Sequence, residues 1–400
     1  MKIKMLHVLS TLLFSLNQWL QVILITRVIG LYEIGLFSYF LAIAGPLVLF
    51  SRFSFSDLVP TQKKYNYGYS IFFKYRNIMN MLFLLLIIIL AVLFDFSTYE
   101  AVCFMLFGIY KFYETKEDFI YTENIAESNI KFLAYSKIIK SIITAALFAA
   151  GVFIAESLLA AILSLLVSQM IIYYLYDKKF TFINRSETLQ FGRKHFKHIF
   201  WLGIGLSLVG LLSSLNANIP RYFLEYYFSV EVLGIYATIM YFATISLNIV
   251  ITINQSLIAE LARTAAQNIR AFYNFFIKIM IFYLAAIILG NIILILYGSQ
   301  LLVFIYGNDF LGFERELMLL GIFISLIVIE KTLEMVMNIF NLYNIQVVFQ
   351  IINIVPTTVL SIIFIIPYGI SGAFAVAIVT GLFVVAGQIA AIIYKNSKLF

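Results

Sequence analysis

The chain has 400 residues, of which 63% are hydrophobic and only 12% are charged, and its mean hydropathy is +0.99. So few polar side chains cannot cover a soluble fold of this length, which excludes the class of soluble globular proteins. The net charge of +7 comes from basic residues in short segments between apolar runs, a pattern of membrane topology and not of nucleic-acid binding. The runs are continuous and do not alternate at every second residue, which excludes a β-barrel. The predicted fold class is an all-α polytopic membrane protein.

Twelve apolar spans follow one another along the chain, and their lengths approach the roughly 20 residues that cross a bilayer core about 30 Å thick. The first follows Lys2 and Lys4 and runs on without a small-x-small cleavage site, so we interpret it as an uncleaved helix. The predicted spans lie near 6–26, 34–55, 77–94, 99–115, 137–155, 157–176, 199–217, 232–256, 275–297, 315–336, 346–366 and 370–393.

A basic connector at 177–198 is the longest polar interruption between spans, and it predicts two six-helix lobes. The first lobe covers 1–195 together with the connector, and the second covers 196–400. Placing the N-terminus in the cytoplasm puts most of the 27 basic residues on the cytoplasmic side, as the positive-inside rule requires. We therefore expect both termini in the cytoplasm.

Two short patterns recur in the second half of the chain. Arg27 through Phe37 and Arg221 through Ala237 both place an Arg at a helix end, followed by Glu, a β-branched residue, Gly, an aliphatic residue and an aromatic one. The pattern Lys-x-x-Glu occurs at Lys111 and again at Lys331, with an Asn thirteen residues after each Lys, at Asn124 and Asn344. Both recurrences favour two related lobes.

Charged side chains within or beside spans are the candidates for a substrate site. A charge at a span's centre costs about 2.5–3.5 kcal/mol, so these groups should face an interior or a watery cavity. The cationic candidates are Arg27, Arg52, Lys111, Arg221 and Lys331. The alternatives stay open: Arg52 and Lys111 can snorkel to headgroups, Lys–Glu pairs can neutralise each other, and Arg221 can cap its helix or pair with Glu225.

Polar stripes on three predicted helices give further candidates for a cavity. Helical spacing places Thr244, Asn248, Thr252 and Gln255 on one face, and it does the same for Glu330, Glu334, Asn338 and Asn341. The alternative is that such stripes hold helices together in the bilayer. The coupling and polar-cavity candidates are Glu114, Glu330, Glu334, Asn338, Asn248, Gln255, Asn17 and Gln21. Pro46, Pro356 and Pro367 predict kinks or breaks.

No enzyme or metal chemistry is indicated by the motifs. Cys103 is the only cysteine, which excludes an internal disulfide and a cysteine-based metal site. His195 and His198 lie in a basic segment without a further ligand nearby, which favours a solvated loop. Nucleophile elbows, phosphate-binding glycine loops and His-Glu-x-x-His motifs are absent from the sequence. We therefore expect neither an enzyme nor a bound cofactor.

Four segments together resemble a known family. Ile219-Pro-Arg-Tyr-Phe-Leu-Glu225 followed by Glu231-Val-Leu-Gly-Ile-Tyr-Ala237 resembles the helix 7–8 signature of the Wzx-type polysaccharide flippases of the MATE-like (MOP) exporter superfamily. Tyr297 through Phe310, Tyr368 through Ala375, and Arg27 through Phe37 resemble three other segments of that family. The resemblance implies twelve helices in two pseudo-symmetric six-helix lobes that alternate access to a central site.

The same resemblance implies a function and its partners. The expected activity is transport of undecaprenyl-pyrophosphate-linked oligosaccharide repeat units across the bacterial inner membrane, for O-antigen (lipopolysaccharide) or other surface-polysaccharide synthesis. A polymerase and a chain-length regulator of the same pathway are possible partners, and H⁺ or Na⁺ is a possible coupling ion. We hypothesise that Arg27 and Arg52 bind the pyrophosphate head in the inward state and that Arg221 receives it outward. Glu330 and Glu334 would titrate or bind the coupling cation.

Three rival functions remain at this point. A multidrug or cation antiporter of the same superfamily should have a net acidic cavity. A membrane-embedded polysaccharide polymerase or ligase should carry a prominent extracytoplasmic loop, and no such loop is evident in the sequence. A purely structural membrane scaffold would not need the charged spans or the repeated halves.

Overall fold

The computed structural model describes residues 2–55, 59, 69–182, 193–340 and 342–397. Much of the basic connector, at 183–192, and the predicted stripe residue Asn341 lie outside the described residues, as does the side chain of Asn344. The α-helices are α1 (Lys2–Leu24), α2 (Leu31–Arg52), α3 (Tyr69–Leu93), α4 (Thr98–Ala126), α5 (Ile130–Ala155), α6 (Leu158–Leu175), α7 (Arg193–Tyr227), α8 (Val230–Gln267), α9 (Ile269–Tyr306), α10 (Glu314–Ile339), α11 (Tyr343–Ile352) and α12 (Ile354–Ser397). The described residues contain no β-strand, which confirms the all-α prediction.

The helices match the predicted spans. Within the described residues, nine helical stretches are long and apolar enough to cross a membrane. One of them, Ile345–Lys395, covers two predicted spans, which are separated by a kink at Gly369 (φ 56°, ψ −127°). The spans predicted at 99–115 and 315–336 correspond to α4 and α10, which form long helices but carry too many charges to count as apolar. The chain is therefore a multi-pass membrane protein.

Several helices begin where a polar side chain caps the first turn. Ser97 and Glu100 form a reciprocal capping box at the start of α4, and the Ser157 hydroxyl caps α6 by accepting from the Ala160 N–H. Ser229 and Asn268 do the same for α8 and α9. Each cap satisfies a backbone N–H that would otherwise lack a partner at the helix end.

The chain divides into two compact units, Met1–Leu215 and Asn216–Phe400. Their boundary falls inside α7, the same helix that begins near the predicted division at residues 195 and 196. Each unit has one helix that packs against several others of its own unit. In the first unit α4 packs against α2, α3 and α6, and in the second unit α10 packs against α8, α9 and α12.

Aromatic side chains fill the core beside α4. Phe53, Phe55, Tyr75 and Phe119 are buried together, with the Phe53 and Tyr75 ring centroids 4.8 Å apart. Burial of large rings is the main apolar contribution available to a helix whose other face is polar. This cluster fixes the end of α2 against α3 and α4, and so it positions the charged groups that lie beside it.

Candidate functional site

A cluster of charges lies where α2, α3 and α4 meet, and we call it the first charged cluster (Arg52, Arg76, Lys111, Glu114 and Asp118). Lys111 Nζ lies 2.6 Å from Glu114 Oε2. Arg52 Nη2 lies 3.3 Å from Glu114 Oε1, and its Nε lies 3.6 Å from Asp118 Oδ2. The α4 members are spaced by three and four residues, so the helix presents them on one face.

Arg76 is the buried member of the first charged cluster, with 1% of its surface exposed. Its Nη1 donates to the backbone carbonyl of Arg52 at 2.5 Å, and its Nη2 donates to the carbonyl of Thr115 at 2.8 Å and to Asp118 Oδ2 at 3.0 Å. One planar guanidinium thus ties the end of α2 to α4. Arg52, which it holds in place, leaves 32% of its side chain exposed.

The first charged cluster contains three cations and two carboxylates, so it has a cationic excess. Both carboxylates lie nearer to a second cation than to Arg52: Glu114 to Lys111, and Asp118 to Arg76. Arg52 can therefore turn to an incoming anion without leaving a carboxylate unpaired. A guanidinium of this kind suits bidentate contact with a phosphate group.

A second charged cluster (Glu330, Lys331, Glu334 and Asn338) lies on α10. Lys331 Nζ lies 3.2 Å from Glu330 Oε1 and 2.7 Å from Glu334 Oε2. Asn338 Oδ1 accepts a hydrogen bond from Gln346 Nε2 at 3.0 Å. Two carboxylates face one ammonium here, so this cluster has an anionic excess.

An open cavity of about 250 Å³ lies beside the second charged cluster, between α8 and α10. It is lined by Ile251, Asn254, Gln255, Ile258, Lys331, Glu334, Met335 and Asn338. Asn254 supports it by donating to the Lys331 carbonyl at 3.0 Å and accepting from the Tyr283 hydroxyl at 2.8 Å. The structure thus brings together four predicted residues, Gln255, Lys331, Glu334 and Asn338, around one cavity.

The remaining predicted residues lie elsewhere. Arg27 is exposed in the π-helical turn Ile25–Ile29 that follows α1. Arg221 Nη1 donates to Asn218 Oδ1 at 3.0 Å along its own helix. Asn17 and Gln21 are buried in α1. Asn248 is half-buried in α8, and its backbone carbonyl accepts a hydrogen bond from the Thr252 hydroxyl one turn later. Their roles in binding stay predictions.

Sequence reasoning missed Arg76 and Asp118 as members of the first charged cluster. Arg76 lies one residue before the span predicted at 77–94, but α3 begins at Tyr69 and buries this side chain. The fourth span was predicted to end at 115, but α4 continues to Ala126 and adds Asp118 to the same face. The spacing of Lys111, Glu114 and Asp118 at i, i+3 and i+7 was the signal that could have found it.

Known structures share this architecture over almost the whole chain. The lipid II flippase MurJ in an inward closed conformation superposes with a TM-score of 0.77 at 13% identity, covering 97% of this chain and 87% of that one. An inward-facing multidrug transporter of the MATE family, in the MOP superfamily, superposes with a TM-score of 0.68 at 11% identity, covering 99% and 94%. These likenesses establish the fold class, and the predicted MATE-like fold is confirmed.

The sequence comparison identifies the family within that class. Residues 4–265 match the family described as Polysaccharide biosynthesis protein, and the chain belongs to this family. A similar protein is the capsular polysaccharide biosynthesis protein CapF of Staphylococcus aureus, which is 24% identical over 376 residues, covering 91% of this chain and 92% of CapF.

Proposed function

We propose that this protein is a flippase that carries undecaprenyl-pyrophosphate-linked oligosaccharide repeat units from the inner to the outer leaflet of the bacterial inner membrane. Membership of the polysaccharide biosynthesis family supports the pathway, and the MATE-like fold supports transport without an enzymatic step. Both termini would lie in the cytoplasm, and a polymerase and a chain-length regulator would act on the exported units. CapF favours capsule as the final polymer, and O-antigen is the alternative.

The observation that carries this proposal is the cationic excess of the first charged cluster. The substrate head combines a pyrophosphate with sugars, and Arg52 is a partly exposed guanidinium whose two carboxylate partners each have a closer cation. Phosphate oxygens would replace those carboxylates at Arg52 through charge-assisted hydrogen bonds. Outward movement of each negative charge also gains about 2.3 kcal/mol per 100 mV of membrane potential.

A second candidate function is a multidrug or cation antiporter of the same superfamily. The observation in its favour is the second charged cluster, in which Glu330 and Glu334 face a single ammonium beside an open cavity. In the flippase these two carboxylates would instead hold the coupling ion, H⁺ or Na⁺. The flippase therefore depends on the first charged cluster to bind its substrate, whereas the antiporter depends on the second.

Complementation of a strain that lacks its own polysaccharide flippase tests the proposal. We expect the wild-type protein to restore surface polysaccharide. We expect Arg52→Ala to lower it about tenfold or more, because a hydrogen bond to a charged group is worth roughly 1.5–3 kcal/mol. Lipid-linked units should then accumulate on the cytoplasmic leaflet. Arg263→Ala is the matched control, since Arg263 is exposed and lies 3.9 Å from Glu260.

Three results would contradict the flippase. One is full surface polysaccharide with Arg52→Ala at normal protein levels. Another is a deletion strain that keeps its polysaccharide but becomes sensitive to cationic drugs, which would favour the antiporter. The third is accumulation of single units on the outer leaflet, which would instead indicate a polymerase.

A further inference from the structure

A buried chain of oxygens connects two carboxyl groups in the first unit. Tyr121 Oη of α4 lies 2.8 Å from Glu117 Oε1 and 2.7 Å from Ser136 Oγ of α5. Ser136 Oγ lies 2.6 Å from Oδ1 of Asp177, which begins the 3₁₀ turn after α6. Glu117, Ser136 and Asp177 are each at most 2% exposed.

The number of hydrogens in this chain shows its protonation state. Three oxygen–oxygen contacts of 2.6–2.8 Å each need one hydrogen between the two oxygens. The hydroxyl groups of Tyr121 and Ser136 supply only two. If both carboxyl groups were ionised, one contact would bring two oxygens together with no hydrogen between them. The third hydrogen must therefore lie on Glu117 or Asp177.

The surroundings of the two carboxyl groups decide between them. Glu117 Oε2 forms an ion pair with Lys140 and accepts from Gln169 Nε2 at 2.9 Å, so it is held as a carboxylate. Asp177 Oδ1 is bonded to Ser136, its carboxyl group also faces that of Glu117, and its Oδ2 is buried with no hydrogen-bond donor in the described part of the chain. An unpaired oxygen costs much less on a neutral acid than on a buried carboxylate. The hydrogen therefore belongs to Asp177.

We propose that Asp177 is a proton-binding site of this protein, with Ser136 and Tyr121 linking the bound proton to the Glu117–Lys140 ion pair. The protonated acid donates to Ser136, Ser136 donates to Tyr121, and Tyr121 donates to Glu117. The ligand is a single proton. The chain of donors then runs in one direction, and each of the three contacts has its hydrogen.

The groups that face Asp177 come from all three helices packed around it. Glu117 and Tyr121 face it from α4, Lys140 from α5, Tyr173 from α6, and Tyr176 from the position just after α6. Lys140 is the cation among them, and its ammonium is already bonded to Glu117. The neighbouring Lys137 donates to Thr11 Oγ1 at 3.1 Å. Because Lys140 is already paired with Glu117, Asp177 has no cation of its own among the described residues, which agrees with a proton on Asp177.

Loss of this proton would change how the turn is held. An ionised Asp177 would take the Ser136 hydrogen, and the Tyr121–Ser136 contact between α4 and α5 would lose its own. The turn is also held at its other end, where the Phe180 carbonyl accepts from Asn124 Nδ2 at 3.0 Å. The proton thus bonds the start of this turn to α5 and α4. Any effect of the proton on export rests on the proposed function.

Infrared difference spectroscopy of the purified protein tests the proton directly, since a protonated carboxyl group and a carboxylate absorb at different frequencies. We expect the wild-type minus Asp177→Asn spectrum at pH 7 to contain the band of a protonated carboxyl. Ser136→Ala should shift that band, because it removes the acceptor. Glu156→Gln, which changes an exposed carboxylate at the end of α5, is the matched control and should leave it unchanged. A carboxylate band at pH 7 instead would overturn the proposal.

The same variants remain decisive if one of them does not fold. If Asp177→Asn does not fold, the wild-type minus Ser136→Ala spectrum gives the same answer: a shifted protonated-carboxyl band supports the site, and its absence overturns it. The spectra require no export. A protonated Asp177 together with normal polysaccharide from Arg52→Ala would retain the proton site and remove the proposed function.

Discussion

Lys331 repeats in α10 the contact that Lys111 makes in α4. Each ammonium lies close to the carboxylate of the glutamate three residues later, at 2.7 Å and 2.6 Å. The neighbours of the two pairs differ. The Lys111 pair meets a second cation, Arg52, whereas the Lys331 pair meets a second carboxylate, Glu330. The same pair therefore lies in cationic surroundings in one unit and in anionic surroundings in the other.

Removal of each lysine should have unequal effects. Lys331→Met leaves Glu330 and Glu334 without their shared cation, whereas Lys111→Met leaves Glu114 with Arg52 at 3.3 Å. We expect Lys331→Met to lower the free energy of unfolding by about 1.5–3 kcal/mol and Lys111→Met by less than half of that, since these side chains are partly exposed. Thermal unfolding in detergent measures both.

Two additional variants sharpen this comparison. Glu330→Gln should restore part of the stability of Lys331→Met, because it removes one of the two carboxylates left without a cation. Lys278→Met, at an exposed position on α9, should have almost no effect. Equal losses from the Lys111 and Lys331 variants would show that the surrounding charges do not matter.

Replacement of Arg76 by lysine should be poorly tolerated. The guanidinium donates to two backbone carbonyls and to Asp118 at once, and an ammonium cannot reproduce that planar arrangement. We expect a loss of about 3 kcal/mol in the free energy of unfolding, as for a broken buried ion pair. Lys74→Arg, the reverse change at an exposed position on the same helix, is the control. An unchanged unfolding temperature for Arg76→Lys would show that the contacts to α2 and α4 contribute little.

The sequence was sufficient to predict the helices and the two Lys–Glu pairs, since both depend on local periodicity. Long apolar runs define spans whatever their neighbours, and Lys-x-x-Glu places two charges on one helical face. Arg76 was not predictable in this way. Its acceptors lie 24, 39 and 42 residues away along the chain, so only the packing of α2, α3 and α4 brings them together. The cavity beside α8 and α10 depends on packing in the same manner.

The kink in α12 depends on two glycines. Gly369 has φ 56°, which strains any residue with a Cβ, and a Cβ at Gly372 would lie 2.0 Å from the carbonyl oxygen of Phe364. We expect Gly372→Ala to cost about 3 kcal/mol, since the backbone itself must move. Gly381→Ala in the same helix meets Leu326, at 3.6 Å from Cδ1 and 3.8 Å from Cβ, and should be neutral or stabilising by about 0.5–1 kcal/mol. Thermal unfolding of the two variants checks the contrast, and equal effects would show that α12 can straighten.

Glu123 should make stability depend on pH. It lies in the last turns of α4, beyond the predicted span, and burial raises its pKa to about 7 against an ordinary 4.5. Its Oε2 accepts from Thr181 Oγ1 at 2.9 Å and from the Phe182 N–H at 3.3 Å, which offsets the burial only in part. The unfolded chain loses this proton first, so the free energy of unfolding falls as pH rises from about 4.5 to 7.

The corresponding measurement compares wild type with Glu123→Gln. The free energy of unfolding of the variant should not show this decrease, which is on the order of 3 kcal/mol for a pKa shift from 4.5 to about 7. Thermal unfolding between pH 4 and pH 8 gives both curves, and Glu127→Gln, an exposed carboxylate at the end of the same helix, is the control. Parallel curves for wild type and Glu123→Gln would contradict the assignment.

The cavity between α8 and α10 should be needed for transport even though it is not needed for folding. Ile258 lines it beside Lys331 and Glu334, so Ile258→Trp would occupy part of the 250 Å³ without replacing a charged residue. We expect export to fall about tenfold while the unfolding temperature stays close to that of wild type, because an open cavity accepts added volume without overpacking.

Ile281→Trp is the matched control, since Ile281 is exposed and lies in a mainly apolar groove of about 190 Å³ between α9 and α10. The same loss from both variants would mean that added bulk disturbs the helices in general, and full export with Ile258→Trp would place the transport route away from this cavity. If the loss is confined to Ile258→Trp, the cavity between α8 and α10 takes part in the transport cycle.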